Sequence, residues 1–166
     1  MYMIKKHYQS ILLFLAAIAL ISLGSCDPAK KYEKAETEAI ANYLSTNSAD
    51  TFKLETSGLY YRDVLVGTGR TPVINDTAHI VYTGKFLNGN VFDSNAGGAD
   101  LIMVVGAGTY IAGLEEGITY MKEGGKATLL IPSKLAYGTT GQYNIPGYTA
   151  LLFDIQLVKV IPGPGK

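Results

Sequence analysis

Residues 110–121 read YIAGLEEGITYM, and their apolar side chains recur at the period of a helix, whereas the segments around them have the pattern of strands. The apolar positions fall at i, i+3, i+7 and i+10 on one helical face: Ile111, Leu114, Ile118 and Met121. Thr109 has a side chain suited to the N-cap, and Gly124 with Gly125 would end the helix. The sequence therefore predicts a short helix within a β-rich domain.

Strand patterns lie on both sides of this helix and are separated by turn signals. The β-rich segments are Leu59–Val66, Ala78–Phe86, Val91–Phe92, Leu101–Val105, Lys126–Ile131 and Ala150–Val160. Asn88-Gly89 is a strong hairpin signal, and Gly113 and Gly117 would let a sheet approach the helix closely. The predicted fold class is therefore α+β, with an antiparallel sheet of five to six strands that covers one short α-helix.

The first 26 residues have the pattern of a targeting signal. Lys5 and Lys6 form a basic start, and an apolar run from Ile11 to Leu23 follows. Thirteen helical residues would span about 20 Å, which is less than the roughly 30 Å hydrocarbon core of a membrane. We therefore interpret this run as the apolar region of a signal peptide rather than as a transmembrane helix.

A cysteine follows that run directly. The residues Leu23-Gly24-Ser25-Cys26 resemble the lipobox of bacterial lipoproteins, in which the cysteine is acylated once the signal peptide, here residues 1–25, is removed. We therefore expect Cys26 to carry a lipid that anchors the chain at a membrane of a bacterial cell envelope, facing the periplasm or the cell surface. An ordinary secretory signal with an unrelated cysteine is the alternative interpretation. The sequence leaves open which membrane and which face carry the anchor.

The chain after the signal divides into an arm, a compact domain and a tail. Residues 26–57 are predicted to form an N-terminal arm or linker, with a helix over Ala35–Leu44 and a polar loop over Ser45–Ser57. Residues 58–161 form the predicted domain, and residues 162–166 form a disordered tail. The arm is interpreted as a spacer from the membrane, an interaction segment, or both, and its role in oligomerisation is left open.

Composition argues against several classes of function. The 14 basic and 14 acidic residues give no net charge, so binding to nucleic acid is not expected. One cysteine cannot form an intramolecular disulfide, and two histidines argue against a histidine-based metal centre. Composition therefore predicts no disulfide and no histidine-based metal site.

Motifs of the common enzyme classes are weak in this chain. It has no G-x-S-x-G nucleophile motif, and His79 is interpreted as a surface residue of a strand. Glu115 and Glu116 are adjacent on the predicted helix and diverge by about 100°, so a solvated helix start is favoured over an acid–base pair. Gly106-x-Gly108 lacks the rest of a dinucleotide-binding motif.

Five short motifs, each weak alone, occur in one order between Gly58 and Val160. They are Tyr82-Thr83-Gly84, Asn88-Gly89-x-Val91-Phe92-Asp93-Ser94, Gly113-Leu114-Glu115-Glu116-Gly117, Ile131-Pro132 with Leu135-Ala136-Tyr137-Gly138, and Leu151-Leu152-Phe153-Asp154. Spacing alone would assign their aromatic and apolar side chains to a core. Their order and spacing, however, resemble those of the FKBP-type peptidyl-prolyl cis-trans isomerases.

This resemblance implies a twisted antiparallel sheet wrapped around the short helix, with a shallow apolar pocket between them that receives a prolyl side chain. The residues that would form the site are Tyr82, Phe92, Asp93, Leu101, Tyr110, Ile111, Leu114, Tyr137, Ile145 and Phe153. By the same resemblance, the Ile111 N–H and the Tyr137 hydroxyl would hold substrate carbonyls. Asp93 would lie beside the reacting amide and accept a hydrogen bond from Tyr82.

The resemblance also implies an activity and partners. It implies a non-covalent isomerase that assists the folding of exported, proline-containing polypeptides, binds macrolides such as rapamycin and tacrolimus, and needs no cofactor. Leu101 and Leu114 stand where many members have aromatic residues, so lower activity or altered affinity is expected. A peptide-binding chaperone on the same fold with little or no isomerase activity is the alternative, and a structural or adhesion lipoprotein is a third hypothesis.

Overall fold

The computed structural model describes residues 27–164 of the 166-residue chain. The signal peptide predicted over residues 1–25 and the lipidation predicted at Cys26 lie outside the described residues. The chain divides into two compact units, Met1–Tyr32 and Glu33–Lys166. Within the described part, no helix is both long enough and apolar enough to cross a membrane.

Two α-helices and seven β-strands are present in the described part of the chain. In chain order they are α1 (Pro28–Thr46), β1 (Lys53–Leu54), β2 (Tyr60–Leu65), β3 (Thr77–Phe86), β4 (Val91–Ser94), β5 (Leu101–Val104), α2 (Ala112–Tyr120), β6 (Lys126–Ile131) and β7 (Leu151–Ile161). A turn of 3₁₀ helix, Ser133–Leu135, follows β6. The α+β class and the six predicted strand segments are confirmed.

The strands form one antiparallel sheet with the order β1-β2-β6-β7-β3-β4, and β5 also pairs with β3. The sheet has seven strands rather than five to six because Lys53–Leu54, predicted as loop, pairs with Tyr60 and Tyr61. β7 lies between β6 and β3 and pairs with β3 along its whole length, from Thr77↔Ile161 to Phe86↔Leu151. The longest two strands therefore form the centre of the sheet.

The main core lies between α2 and one face of the sheet. Leu114 and Ile118 of α2 and Leu129 and Ile131 of β6 are all buried in it. A Cβ atom on Gly117 would overlap the Leu129 Cδ1 atom, and one on Gly113 would overlap the Ile131 Cγ2 atom. The two glycines therefore let the helix lie close to the strand, as predicted, since a larger side chain at either place would push the two elements apart.

The opposite face of the sheet is covered at one end by α1. This helix runs from Pro28 to Thr46 rather than from Ala35 to Leu44, with a proline in the first turn, where its missing N–H costs nothing. A second core joins Ile40 of α1 to buried residues of the sheet and the segment before β7: Leu130, Ala150 and Leu152. Part of the segment predicted as an arm therefore packs on the sheet.

A network of polar side chains lies beside this second core on the same face. Arg62 of β2 donates a hydrogen bond to the Thr128 hydroxyl (3.2 Å), and Thr128 donates to the Asp154 carboxylate (2.8 Å). Lys85 of β3 forms an ion pair with Asp154 at 2.7 Å. These groups satisfy the buried Thr128 hydroxyl and continue the pairing of four neighbouring strands through their side chains.

Candidate active site

A cleft of about 540 Å³ opens between the N-terminal end of α2 and the strands β3, β4 and β7. Its lining is mainly aromatic and aliphatic: Tyr82, Phe92, Asp93, Leu101, Thr109, Tyr110, Ile111, Ala112, Leu114, Ala136, Tyr137, Gln142 and Phe153. Asp93 contributes the charge of this lining. All the residues predicted to form the site lie here except Ile145.

Ile145 lies in the main core, with 6% of its surface exposed. Its backbone pairs with that of Gln142 by two hydrogen bonds, of 2.9 and 2.8 Å, which close a tight loop. Gly141 permits this loop because its φ of 71° lies in the left-handed region and a Cβ atom there would overlap the Ile145 carbonyl. The loop thus places Gln142, which was not predicted, at the cleft and directs Ile145 inward.

Three aromatic rings form one wall of the cleft. The Phe153 ring lies 5.9 Å from that of Tyr82 and 5.7 Å from that of Phe92, between ring centres, and the second pair is edge-to-face. A Cβ atom on Gly84 would lie 2.6 Å from the Phe92 ring, so glycine at this position lets the ring lie against β3. Aromatic pairs of this geometry hold each other in place beyond their burial.

Phe92 and Asp93 are adjacent in β4, yet both side chains line the cleft. Adjacent residues of a regular strand point to opposite faces. Here the pairing of β3 with β4 shifts between Gly84↔Asp93 and Lys85↔Val91, which leaves Phe92 as an extra residue. This β-bulge turns two consecutive side chains towards one site.

Tyr82 and Asp93 are joined by a short hydrogen bond. The Tyr82 hydroxyl donates to the Asp93 Oδ2 atom at 2.5 Å. Burial, followed by this hydrogen bond and the carboxylate charge, raises the pKa of the Tyr82 phenol well above its usual value. The phenol therefore remains protonated across the neutral range and fixes the orientation of the carboxylate.

Tyr137 presents a hydroxyl group to the cleft. Burial, and then the charge of Asp93, raises the pKa of its phenol, so that it too is a hydrogen-bond donor at neutral pH. Among residues 27–164, no hydrogen-bond partner of this hydroxyl is present. The Tyr137 ring packs against the main core, and its backbone follows the 3₁₀ turn at Ser133–Leu135.

The N-terminal end of α2 presents Tyr110 and Ile111 to the cleft. Helix α2 begins at Ala112 with Ile111 as its N-cap, so the prediction that Thr109 caps the helix is wrong. Instead, the Glu115 carboxylate accepts hydrogen bonds from the backbone N–H groups of Gly108 and Tyr110, both at 3.1 Å. Glu115 therefore fixes the loop through which the chain enters the helix, much as the acidic residue of a capping box does.

Asn95 is a second supporting residue, which lies in the loop directly after β4. Its side-chain oxygen accepts a hydrogen bond from the Tyr82 N–H at 2.7 Å. Its amide nitrogen donates to the carbonyls of Ile80 and Ala99, both at 3.0 Å. An asparagine directly after a strand is a known signal of such side-chain-to-backbone bonding. The loop between β4 and β5 is therefore held against β3 beside Tyr82.

Other titratable groups lie outside this cleft. His79 of β3 has its Nδ1 atom 3.7 Å from Asp100 Oδ2, and neither residue lines the cleft. Over residues 27–164, no group of three or more His, Cys, Asp and Glu side chains is arranged to hold a metal ion. What the cleft offers a ligand is an apolar wall, an oriented carboxylate and phenolic donors.

The sequence of residues 68–158, more than half of the chain, matches the family described as FKBP-type peptidyl-prolyl cis-trans isomerase. This chain belongs to that family, and the resemblance inferred from its motifs is confirmed. The solved structures agree with this assignment. A peptidyl-prolyl cis-trans isomerase of Pseudomonas syringae has a TM-score of 0.70 and 27% identity over 84% of this chain and 100% of that one.

Bacterial relatives extend over more of the chain. The FkpA protein of Neisseria meningitidis is 38% identical over 141 residues, which cover 80% of this chain and 51% of the relative. The crystal structure of FkpA from Escherichia coli has a TM-score of 0.68 and 30% identity, covering 96% of this chain and 74% of that one. The chain spans between about a fifth and about half of the length of the curated relatives that it matches first.

Proposed function

We propose that this protein is a peptidyl-prolyl cis-trans isomerase that acts without a covalent intermediate on proline-containing segments of unfolded, exported polypeptides. The observation that carries the proposal is the composition of the cleft: aromatic walls beside the Tyr82–Asp93 hydrogen bond and the Tyr137 hydroxyl. Membership of the family supports it as well. Such a cleft can take up a prolyl ring and hold the amide next to it.

The energetic problem is rotation about a partial double bond. The barrier is about 18–20 kcal/mol because resonance in the planar amide must be broken. A twisted amide is less dipolar than a planar one, so transfer from water to an apolar cleft disfavours the ground state more than the transition state. The catalyst then needs only differential binding of the twisted form.

In this proposal each residue has a limited role. Phe92, Leu114 and Phe153 hold the prolyl ring and exclude water from the amide. The Ile111 N–H and the Tyr137 hydroxyl bind substrate carbonyls, each contributing about 0.5–1.5 kcal/mol. Asp93, oriented by Tyr82, lies beside the reacting amide.

The remaining predicted residues complete the proposed binding surface. Leu101 and Tyr110 line the cleft and would contact the residues that flank the proline, whereas Ile145 would act only by supporting the loop that carries Gln142. Domain bounds of 58–161 would include every one of these groups. Helix α1 lies outside those bounds, although its Glu36 and Ile40 contact residues within them.

A binding-only chaperone is the second candidate function, and one observation favours it. Leu114, on the floor of the cleft, is 97% buried and aliphatic, and Leu101 forms part of the wall. Aliphatic side chains make fewer contacts with a prolyl ring than a large aromatic side chain would. The protein would then bind unfolded chains without accelerating isomerisation.

The first test is the isomerisation rate of an X-Pro test peptide with the full chain in mild detergent, with and without rapamycin. We expect a rapamycin-sensitive acceleration. Tyr137→Phe removes one hydrogen bond and is expected to lower kcat/KM by about twofold to tenfold. Asp93→Ala removes a charged acceptor and is expected to cost about tenfold to a hundredfold.

The chain contains a matched control for the Asp93 variant. Tyr61 donates to Asp63 at 2.6 Å, which is the same type of pair, but neither residue lines the cleft. Asp63→Ala should therefore leave kcat/KM unchanged. A folded protein that slows the aggregation of an unfolded client but does not accelerate isomerisation would favour the chaperone function, and equal effects of the two aspartate variants would contradict the site assignment.

We also propose that Cys26 is acylated and anchors the chain at a membrane of the cell envelope. The support is the sequence Leu23-Gly24-Ser25-Cys26 after an apolar run too short to span a bilayer. Labelling with a radioactive fatty acid in a bacterial host should mark the wild-type chain and not Cys26→Ser. Label retained by the variant would contradict the anchor.

A further inference from the structure

We propose that Glu36 of α1 is a positioning residue for Tyr137, so that the N-terminal helix contributes to the activity of the cleft. This inference rests on the proposed isomerase function. Glu36 lies outside the cleft, on the opposite face of the sheet, and touches the backbone segment that leads to Tyr137. It therefore acts through that segment and not on the substrate.

Glu36 contacts Ser133 through both of its carboxylate oxygens. The Glu36 Oε1 atom accepts a hydrogen bond from the backbone N–H of Ser133 at 2.6 Å, and its Oε2 atom accepts one from the Ser133 hydroxyl at 2.7 Å. Ser133 is the first residue of the 3₁₀ turn and is 6% exposed. Because the first N–H groups of such a turn have no partner within it, a carboxylate supplied by another helix satisfies a donor that would otherwise be buried unpaired.

Ser133 in turn forms backbone hydrogen bonds with the residues on both sides of Tyr137. Its carbonyl accepts hydrogen bonds from the N–H of Ala136 at 2.9 Å and from the N–H of Gly138 at 2.8 Å. The two donors flank Tyr137 in the chain. Since the Tyr137 hydroxyl has no partner among the described residues, the ring has no anchor of its own at the hydroxyl end. Its placement in the cleft therefore depends on its packing against the main core and on the backbone that Ser133 holds.

Glu36 is itself held by the packing of its helix. Ile40 lies four residues further on, on the same helical face, and is buried against Leu130 and Leu152 of the sheet. The helix cannot shift without exposing this second core. The position of the Glu36 carboxylate is therefore well defined. Glu38 on the same helix differs, because it forms an exposed ion pair with Lys34 at 3.7 Å.

The test combines Glu36 and Tyr137 substitutions in the full chain in mild detergent. Glu36→Ala is expected to lower kcat/KM by about twofold to fivefold in the wild-type background, and by no more than Tyr137→Phe does, because it acts only through the placement of that hydroxyl. In the Tyr137→Phe background the same change should have almost no effect, because the group that it positions is already lost. Glu36→Gln, which keeps one acceptor, should restore part of the activity, and Glu38→Ala is the control that should change nothing.

A second measurement does not depend on catalysis. In ¹³C-tyrosine-labelled protein, the Tyr137 ring signal, assigned by its loss in Tyr137→Phe, should shift or broaden in Glu36→Ala and remain unchanged in Glu38→Ala. Should Glu36→Ala fail to fold, Ser133→Ala removes one of the two hydrogen bonds and serves for both measurements.

The outcomes separate the two proposals. An equal loss of kcat/KM in both backgrounds, or an unmoved Tyr137 signal, would overturn the role of Glu36. If the wild-type chain has no isomerase activity, the proposed function fails, and the Tyr137 signal alone then decides whether Glu36 positions the ring.

Discussion

The two faces of the sheet are buried in different ways. Among residues 27–164, α2 and the strands enclose a core of eighteen buried residues on the face that carries the cleft, whereas the core under α1 contains four. Leu129 and Leu130 are neighbours in β6 and both are fully buried, but they belong to different cores. The comparison indicates that stability resides mainly on the α2 face, while the α1 face contributes through one helix and the contacts it makes.

The largest expected effect is on the free energy of unfolding, and it differs between substitutions of these two leucines. Leu129→Ala opens a cavity in the well-enclosed core and should lower the free energy of unfolding by about 3–5 kcal/mol. Leu130→Ala should cost less, about 2–3 kcal/mol, because the core under α1 joins fewer buried side chains than the core under α2. Urea unfolding followed by circular dichroism measures both. A Leu130 variant as unstable as the Leu129 variant would show that the two cores are equally important.

The next effect concerns the contact between helix and strand on the α2 face. Gly117→Ala should destabilise the protein by about 1–2 kcal/mol, because overlap with Leu129 outweighs the better helix propensity of alanine. Combined with Leu129→Ala, the two costs should fall short of their sum by about 1 kcal/mol, since the new methyl group occupies part of the cavity. With Leu130→Ala, on the other face, the costs should add. Additivity in both pairs would contradict the described contact.

The third prediction compares a tyrosine on each face at high pH. Burial is the first cause that raises the pKa of Tyr82 on the α2 face and of Tyr43 on the α1 face. The unfolded chain releases phenolic protons near pH 10 while the folded chain retains them. The folded state therefore binds more protons there, so the contribution of these tyrosines to the free energy of unfolding should be constant below about pH 10 and be lost above it.

Urea unfolding between pH 8 and pH 11, with phenolate absorbance at 295 nm, measures this dependence. Asp93→Asn removes the charge that helps to raise the pKa of Tyr82 and should lower that pKa, leaving Tyr43 unchanged. Asp50→Asn should lower the pKa of Tyr43 instead. Ionisation of both tyrosines at an ordinary pH in the folded protein would contradict the prediction.

The smallest expected effect is on the outer side of α1. The Lys34 and Glu38 side chains are 78% and 63% exposed and 3.7 Å apart, so solvent screens their attraction. Glu38→Ala should change the free energy of unfolding by less than about 0.5 kcal/mol. A larger loss in thermal melting would mean that α1 is held by charge as well as by the second core.

Much of the α2 face could be predicted from the sequence because it follows simple periods. The helical spacing of Leu114 and Ile118 and the glycines at 113 and 117 predicted the helix and its close packing. The start of the helix was predicted too early. The Glu115 side chain, rather than that of Thr109, accepts the hydrogen bond from a backbone N–H group at the start of the helix. Such a contact depends on the path of the loop, which local propensity does not determine.

The α1 face was harder to predict, although one signal was present. A strand with one face in solvent alternates, but residues 129–131 and 151–153 are continuous apolar runs, which is typical of strands buried on both faces. Strands buried on both faces need a second layer of structure, and the helix predicted in the N-terminal arm could supply that layer. The bulge at Phe92 and the inward turn of Ile145 had no comparable signal, since both depend on register and loop geometry.

The order of the strands has a consequence for how the protein folds. β7, between β6 and β3, is the last strand in the described chain, and it pairs residues 77–86 with residues 151–161. Contacts so distant in sequence form slowly, because a long loop must close before any pairing is gained. Until β7 pairs, β3 and β6 have no common neighbour and each has an unpaired edge. Unpaired strand edges can pair with other chains, so the order of the strands exposes the incompletely folded domain to aggregation.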